Sequence, residues 1–259
     1  MMRMIILGLW LGTKMSNSDI TILTVVENDC GILDLLISSI YKFTDPAPNM
    51  IICNNGGSKL LLSKYTNDSN INIVHNVPKL AGGSNRHSAG LNKIFPMVKT
   101  PKTAIIESDC ILLRKDWDYL APQHKILAAK KGEHRGNVLY HICFMIFETA
   151  LLKGIDFGPS TAAFRTNRSY AVNEDVGWAI GTMVNPKDVG LMEFKDCKKN
   201  EGYYFGPEFQ SDEIWVGTQP TVAHLGRGSN ISGKAIRKGF DSPQKQLENW
   251  KKIAENIIR

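Results

Sequence analysis

Thr103-Ala104-Ile105-Ile106-Glu107-Ser108-Asp109, followed by Cys110-Ile111-Leu112-Leu113, is an apolar run that ends in two acids one residue apart and then resumes. It reads as a buried strand delivering carboxylates to a sheet edge. Burial of residues 104–106 would fix the backbone, and the turn would hold Glu107 and Asp109 where solvent, metal or phosphate reaches them. Hard carboxylate oxygens suit Mg2+ or Mn2+, which take one or two such ligands and leave the other positions to water and substrate phosphate. Acids flanking one residue at a strand end also occur as plain solvated turns, so the surrounding segments must decide.

Upstream of that stretch the chain alternates between strand and helix patterns. Ile20–Val26 is rich in β-branched residues, and Ile32, Leu35, Leu36, Ile40 and Phe43 then recur at helical spacing. Residues 50–53 form a short apolar strand closed by the turn cluster Asn54-Asn55-Gly56-Gly57-Ser58, with a helix expected over 59–65 and a strand over Ile71–His75. After Gly82-Gly83, the residues Ala89, Leu91, Ile94, Phe95 and Val98 fit one helix face. A β-α-β-α-β-α-β order predicts an α/β fold with a mostly parallel, Rossmann-like central sheet flanked by helices. Such sheets bind ligands at the carboxyl ends of their strands, where Glu107 and Asp109 stand.

Downstream the pattern is less regular and reads as an elaborated carboxyl-terminal half. A strand is expected over 138–147, a helical turn over 149–153, a helix over 173–183 and a short strand over 221–224. From Asp241 onward, cap residues, Pro243 and the apolar stripe Leu247, Trp250, Ile253 and Ile257 predict a docked terminal helix. Residues 1–18 read as a leader outside the core, with Met15 a candidate natural start, and residues 19–259 as one domain.

With 259 residues, 43% hydrophobic and 22% charged, the chain can bury a substantial core, which excludes disordered and fibrous classes. Its cysteines, Cys30, Cys53, Cys110, Cys143 and Cys197, are odd in number and lack zinc-ligand spacing, which fits a reduced, cytoplasmic setting. The apolar segment 5–11 is too short to span a bilayer. A net charge of +6 permits peripheral contact with an anionic membrane and leaves nucleic acid open as a partner, although the basic residues are scattered. Gly228-Ser229-Asn230-Ile231-Ser232-Gly233-Lys234 has the spacing of a phosphate loop, but Ala235 stands where such a loop needs Ser or Thr. A glycine-rich flap over a diphosphate is the better reading.

Four segments recur in a familiar order: residues 20–28, the turn 52–58, the stretch 82–92, and Glu107-Ser108-Asp109 with Trp117 downstream. Together they resemble the nucleotide-sugar-binding half of family 2 glycosyltransferases, which have the GT-A fold, well over residues 20–120 and loosely beyond. The resemblance implies a donor half over 19–120 and an acceptor and catalytic half over 121–259. It implies that Val26, Asn28 and Asn54 surround the nucleotide base, with Asn54 standing where the family usually has aspartate. Arg86 and His87, at the start of the third expected helix, would approach the diphosphate, as a helix amino terminus favours. Glu107-Ser108-Asp109 matches the Asp-x-Asp metal motif. Asp109 would be the direct ligand, Glu107 a second ligand or a contact to ribose or metal-bound water, and Ser108 a donor-side neighbour.

Two further features follow from the same resemblance. Glu174-Asp175 matches the family's acidic pair, whose aspartate is the catalytic base, and His224, after a short strand, would complete the shell of Mn2+ or Mg2+. Both have plainer readings, as a helix cap and a structural histidine. The implied activity is inverting transfer from a nucleotide diphosphate sugar, UDP-sugar favoured, to a hydroxyl of a glycan or glycolipid in preference to a modified DNA base. A nucleotidyltransferase of similar fold is the alternative enzyme, although its glycine-rich, lysine-containing loop is missing at Glu27-Asn28-Asp29-Cys30-Gly31. A non-catalytic nucleic-acid- or sugar-binding protein is the alternative from another class.

Overall fold

A computed structural model describes residues 19–27, 31–56, 62–76, 83–118, 123–134, 136–158, 176–196, 205, 209, 211–225 and 242–259. Strand β1, Ile20–Val26, is buried along its whole length, as its run of β-branched and apolar residues requires. It lies between β2, Asn49–Asn54, and β4, Lys102–Ile106, and β3, Ile71–His75, pairs with β2; all of these neighbours are parallel. In this block the alternation of strand and helix signals reads directly as topology.

Beyond β4 the pairing is mostly antiparallel. β5, Cys110–Leu112, follows the acidic turn, and β6, Ile126–His134, forms a hairpin with β7, Asn137–Glu148. β8, Val189–Lys195, and the hairpin of β9, Asp212–Val216, with β10, Gln219–His224, complete one ten-stranded sheet in the order β3-β2-β1-β4-β7-β6-β8-β9-β10-β5. β4 is therefore the seam where parallel pairing gives way to antiparallel.

Helices cover both faces. α1, Ile32–Phe43, sets Leu33, Leu36, Ile37 and Ile40 against one face, and its Ile32 and Leu35 meet the terminal helix α4, Pro243–Ile258. α4 starts at Ser242, whose hydroxyl accepts from the Lys245 N–H at 3.2 Å, and buries Leu247, Trp250 and Ala254. On the opposite face lie α2, Gly83–Ile94, and the short α3, Ile180–Met183. α2 packs tightly on β1: a Cβ on Gly90 would stand 2.7 Å from Val25 Cγ1 and 3.0 Å from Asn55 Nδ2. That close approach brings the first turn of α2 to the carboxyl end of β1. No described helix is long and apolar enough to cross a membrane.

Several expectations need correction. Of the helix expected over 173–183, the described residues 176–183 are helical over Ile180–Met183, and Gly177, at φ +79°, takes a left-handed conformation that a helix interior does not allow. In the segment expected to be helical over 59–65, the described Leu62 and Ser63 are helical and the chain turns from Lys64 onward. β6, β8 and β9 add to the expected strands; in β6, Ala128-Ala129-Lys130-Lys131-Gly132 has no clean alternation and carries register shifts on both sides of Lys130. The leader, Asn28, the Glu174-Asp175 pair, the glycine-rich stretch 228–234, Cys30 and Cys197 lie outside the described residues.

Candidate metal and donor site

The acidic turn is held from three sides. Glu107 N–H donates to Cys143 O on β7 at 2.9 Å, Cys110 N–H donates to Glu107 O at 3.0 Å, and Leu225 N–H donates to Asp109 O at 2.9 Å. Buried Ser39 of α1 accepts from Leu112 N–H at 3.0 Å and donates to Leu36 O at 2.7 Å, which ties β5 to the helix beneath it. These bonds fix the backbone of both acids, so their side chains can be aimed.

They converge on His224, the last residue of β10. His224 Nε2 lies 3.2 Å from Glu107 Oε2 and 3.4 Å from Asp109 Oδ1, while the other Glu107 oxygen lies 3.4 Å from His87 Nδ1 in the first turn of α2. Asp109 is only 6% exposed. Burial raises its pKa, but the charge of His224 and their hydrogen bond outweigh this and hold the carboxyl below its ordinary range. For His224 burial lowers the pKa, and the opposing charge of Asp109, with the nearby thiols, carries it well above the usual histidine value. Two acids and an imidazole thus share one small volume.

This donor set fits a divalent cation. Neighbouring ligands of an octahedral ion with bonds of about 2.1 Å stand roughly 3 Å apart, close to the 3.2 and 3.4 Å separations of the carboxylate oxygens from His224 Nε2. Among the described residues, Asp109, Cys110 and His224 also offer ligand atoms within 4.8 Å of one another. Cys110 is the poor member of that group: it is fully buried, burial pushes its thiol well up, and Sγ already lies 3.5 Å from Cys143 O. A protonated thiol is a weak ligand for a hard ion, so Asp109 and His224 are the fitting members of that group, and Glu107 Oε2 reaches His224 Nε2 from outside it.

Beside this cluster lies a second polar corner. Arg86 Nη2 donates to Asn55 O at 2.8 Å, and Asn55 Nδ2 donates back to Arg86 O at 2.6 Å. Asn55 Oδ1 accepts from Asn76 Nδ2 at 2.8 Å, and Asn54 Oδ1 accepts from Gly56 N–H at 3.1 Å. Arg86 Nε faces Glu27 Oε2 at 3.5 Å. Val26 and Asn54 are buried opposite each other at the ends of β1 and β2, and Ser108 sits in the acidic turn. Of the residues singled out from sequence, Glu107, Asp109, His87 and His224 come together, and Val26, Asn54 and Arg86 form the adjoining corner. Glu27, Asn55, Asn76 and Asp212 were missed, although Val26 and Asn28 flank Glu27 and the turn signal Asn54-Asn55-Gly56 contains Asn55.

By sequence the chain matches no protein-family model and no curated protein. By fold it is similar to LgtC in a solved active-site variant, at TM-score 0.57 and 12% identity over 90% of this chain and 95% of that one. It is similar to the glycosyltransferase GlyE of Streptococcus pneumoniae TIGR4, at TM-score 0.51 and 12% identity over 92% of this chain and 63% of that one. The mannosyltransferase PcManGT from Pyrobaculum calidifontis, solved with GDP-Man and Mn2+, aligns at TM-score 0.44 and 14% identity over 67% of this chain. The chain spans 56% of PcManGT's length. At these identities the likeness establishes the fold, which is that of GT-A-type glycosyltransferases.

Proposed function

We propose that the chain is a metal-dependent, inverting glycosyltransferase that moves a sugar from a nucleotide diphosphate sugar to an acceptor hydroxyl. The observation that carries this reading is the convergence of Glu107 Oε2 and Asp109 Oδ1 on His224 Nε2, with His87 at the start of α2 facing the same acids. It lies at the carboxyl end of β4, where sheets of this kind bind their ligands.

In this reading Asp109, His224 and Glu107 hold Mn2+ or Mg2+. A bound cation of this kind neutralises charge on a departing phosphate. Arg86 and His87 approach the donor's phosphates from the first turn of α2, and Val26, Asn28 and Asn54 enclose the base. Asparagine at position 54 both donates and accepts hydrogen bonds, so a pyrimidine edge stays readable, and UDP-sugar is the donor class favoured. Asp175 accepts the proton of the acceptor hydroxyl as its oxygen bonds to the anomeric carbon and the bond from that carbon to the diphosphate breaks. Glu174 supports Asp175, and attack from the opposite face inverts the anomeric centre. The acceptor is a glycan or glycolipid hydroxyl, and the net charge of +6 favours work at an anionic surface.

The test is a thermal-shift screen of UDP-, GDP- and dTDP-sugars with and without Mn2+, followed by proton NMR of the product's anomeric configuration. Stabilisation by one nucleotide class only with metal, and a product anomer opposite to the donor's, are expected. No response to any donor would sink the reading. A fully active Asp175→Asn enzyme would remove its general base, which is worth roughly 10²–10⁴-fold.

A further inference from the structure

His224 has a second nitrogen that the proposed metal role does not use. Its Nδ1 is buried and makes no hydrogen bond among the described residues, and it faces the carboxylate of Asp212, with Oδ2 at 3.7 Å. Asp212 is itself 9% exposed. Cys110, His224 and Asp212 form one row across β5, β10 and β9, each directly opposite the next.

The register that makes this row is not the simplest one. Near the turn, Gln219 pairs with Val216 and Pro220 with Trp215, a count that would carry His224 opposite Ser211. A register shift between Pro220 and Val222 advances β10 by one place, so that Val222 faces Ile214 and His224 faces Asp212. Bulges of this kind re-aim side chains beside functional sites. Here the shift exchanges a serine for a carboxylate behind the imidazole.

A neutral imidazole carries its proton on one nitrogen and offers a lone pair on the other, and the partner of the protonated nitrogen decides which is which. We infer that Asp212 is a positioning residue that holds the proton and ring of His224 through Nδ1, so that the Nε2 lone pair points at the volume shared by Glu107 and Asp109. A separation of 3.7 Å is longer than a hydrogen bond. Contacts of this type are often long in unliganded sites and tighten when the site fills. Carboxylates behind metal-binding histidines typically change metal affinity by about 10–100-fold when removed. The inference rests on the metal role proposed for His224.

Mn2+ binding to the full chain, read from the free-Mn2+ electron paramagnetic resonance signal, tests it in wild type, Asp212→Asn, Asp212→Ala and His224→Ala. Both Asp212 variants should bind Mn2+ about 10–100-fold more weakly, and should need correspondingly more Mn2+ for transfer while keeping most of kcat at saturating metal. Asp212→Asn keeps the volume and one acceptor oxygen, so it carries the test if Asp212→Ala does not fold. Wild-type affinity in a folded Asp212→Asn protein overturns the inference and leaves the metal role of His224 standing. A wild type that binds no Mn2+ overturns both. The affinity of His224→Ala sets the limit expected when the imidazole is lost altogether.

Discussion

The corner around Arg86 and the cluster around Asp109 are neighbours built by opposite means. In the corner, strand ends and a helix start that follow one another in the chain meet through backbone groups: Arg86 and Asn55 each donate to the other's carbonyl, and Gly90 lets α2 lie close to β1. In the cluster the contacts are between side chains, and the partners come from the β4–β5 turn, from β10 and from β9. The first arrangement is set by parallel topology, which sends consecutive loops to one edge. The second depends on an antiparallel hairpin returning to that edge in the correct register. The corner therefore comes with the parallel topology, whereas the cluster of acids around His224 must be added to it.

The largest separation between the two should appear in kinetics. Asp109→Asn removes the buried carboxylate from the cluster, and loss of several kcal/mol of charge stabilisation should lower kcat/KM by roughly 10³-fold or more. Arg86→Ala should act mainly on donor KM, by about 10–100-fold, the scale of a hydrogen bond to a charged group. Steady-state kinetics over donor concentration separate the two patterns, and equal losses in kcat from both variants would erase the distinction.

Stability should show a smaller contrast. Gly90→Ala forces a Cβ to 2.7 Å from Val25 Cγ1 beneath the corner, an overpacking that should cost about 1–3 kcal/mol. Ser39→Ala leaves the N–H of Leu112 without its acceptor beneath the cluster, for a loss of about 1–3 kcal/mol. Urea unfolding measures both, and a Gly90→Ala protein as stable as wild type would show that α2 is free to shift. The smallest effect concerns pH. Burial, only partly offset by Arg86 and His87, raises the pKa of Glu27 above the ordinary 4.5 of a glutamate. Its folded form therefore holds a proton that the unfolded chain has released, and stability from this group declines as pH rises from 4.5 through the raised value. Glu27→Gln should flatten that part of the stability profile, read by thermal unfolding across pH.

The same contrast governs what could be read from the sequence. β1 and β3 have the bounds that their β-branched runs suggest, and the terminal helix starts at the expected cap, because these signals are local. Glu107, Asp109, His87 and His224 could be singled out through motif order. Asp212 could not, since counting outward from the turn of the β9–β10 hairpin sets Ser211 opposite His224, and only the shift beyond Pro220 brings the aspartate there. Asn55 was hidden differently: a turn asparagine looks the same whether it faces water or, as here, links Arg86 to Asn76. Pairing across distant strands leaves little trace in local periodicity.

The central claim is that the acids on the β4–β5 turn, with His224, join a cation to a nucleotide diphosphate. Calorimetric titration of UDP into wild type and Asp109→Asn, each with and without Mn2+, tests it most directly. Wild type should bind UDP tightly only with Mn2+, and Asp109→Asn should bind it weakly and equally in both conditions. UDP binding by wild type that is indifferent to Mn2+, or an Asp109→Asn protein with the full metal-dependent gain, would contradict the account.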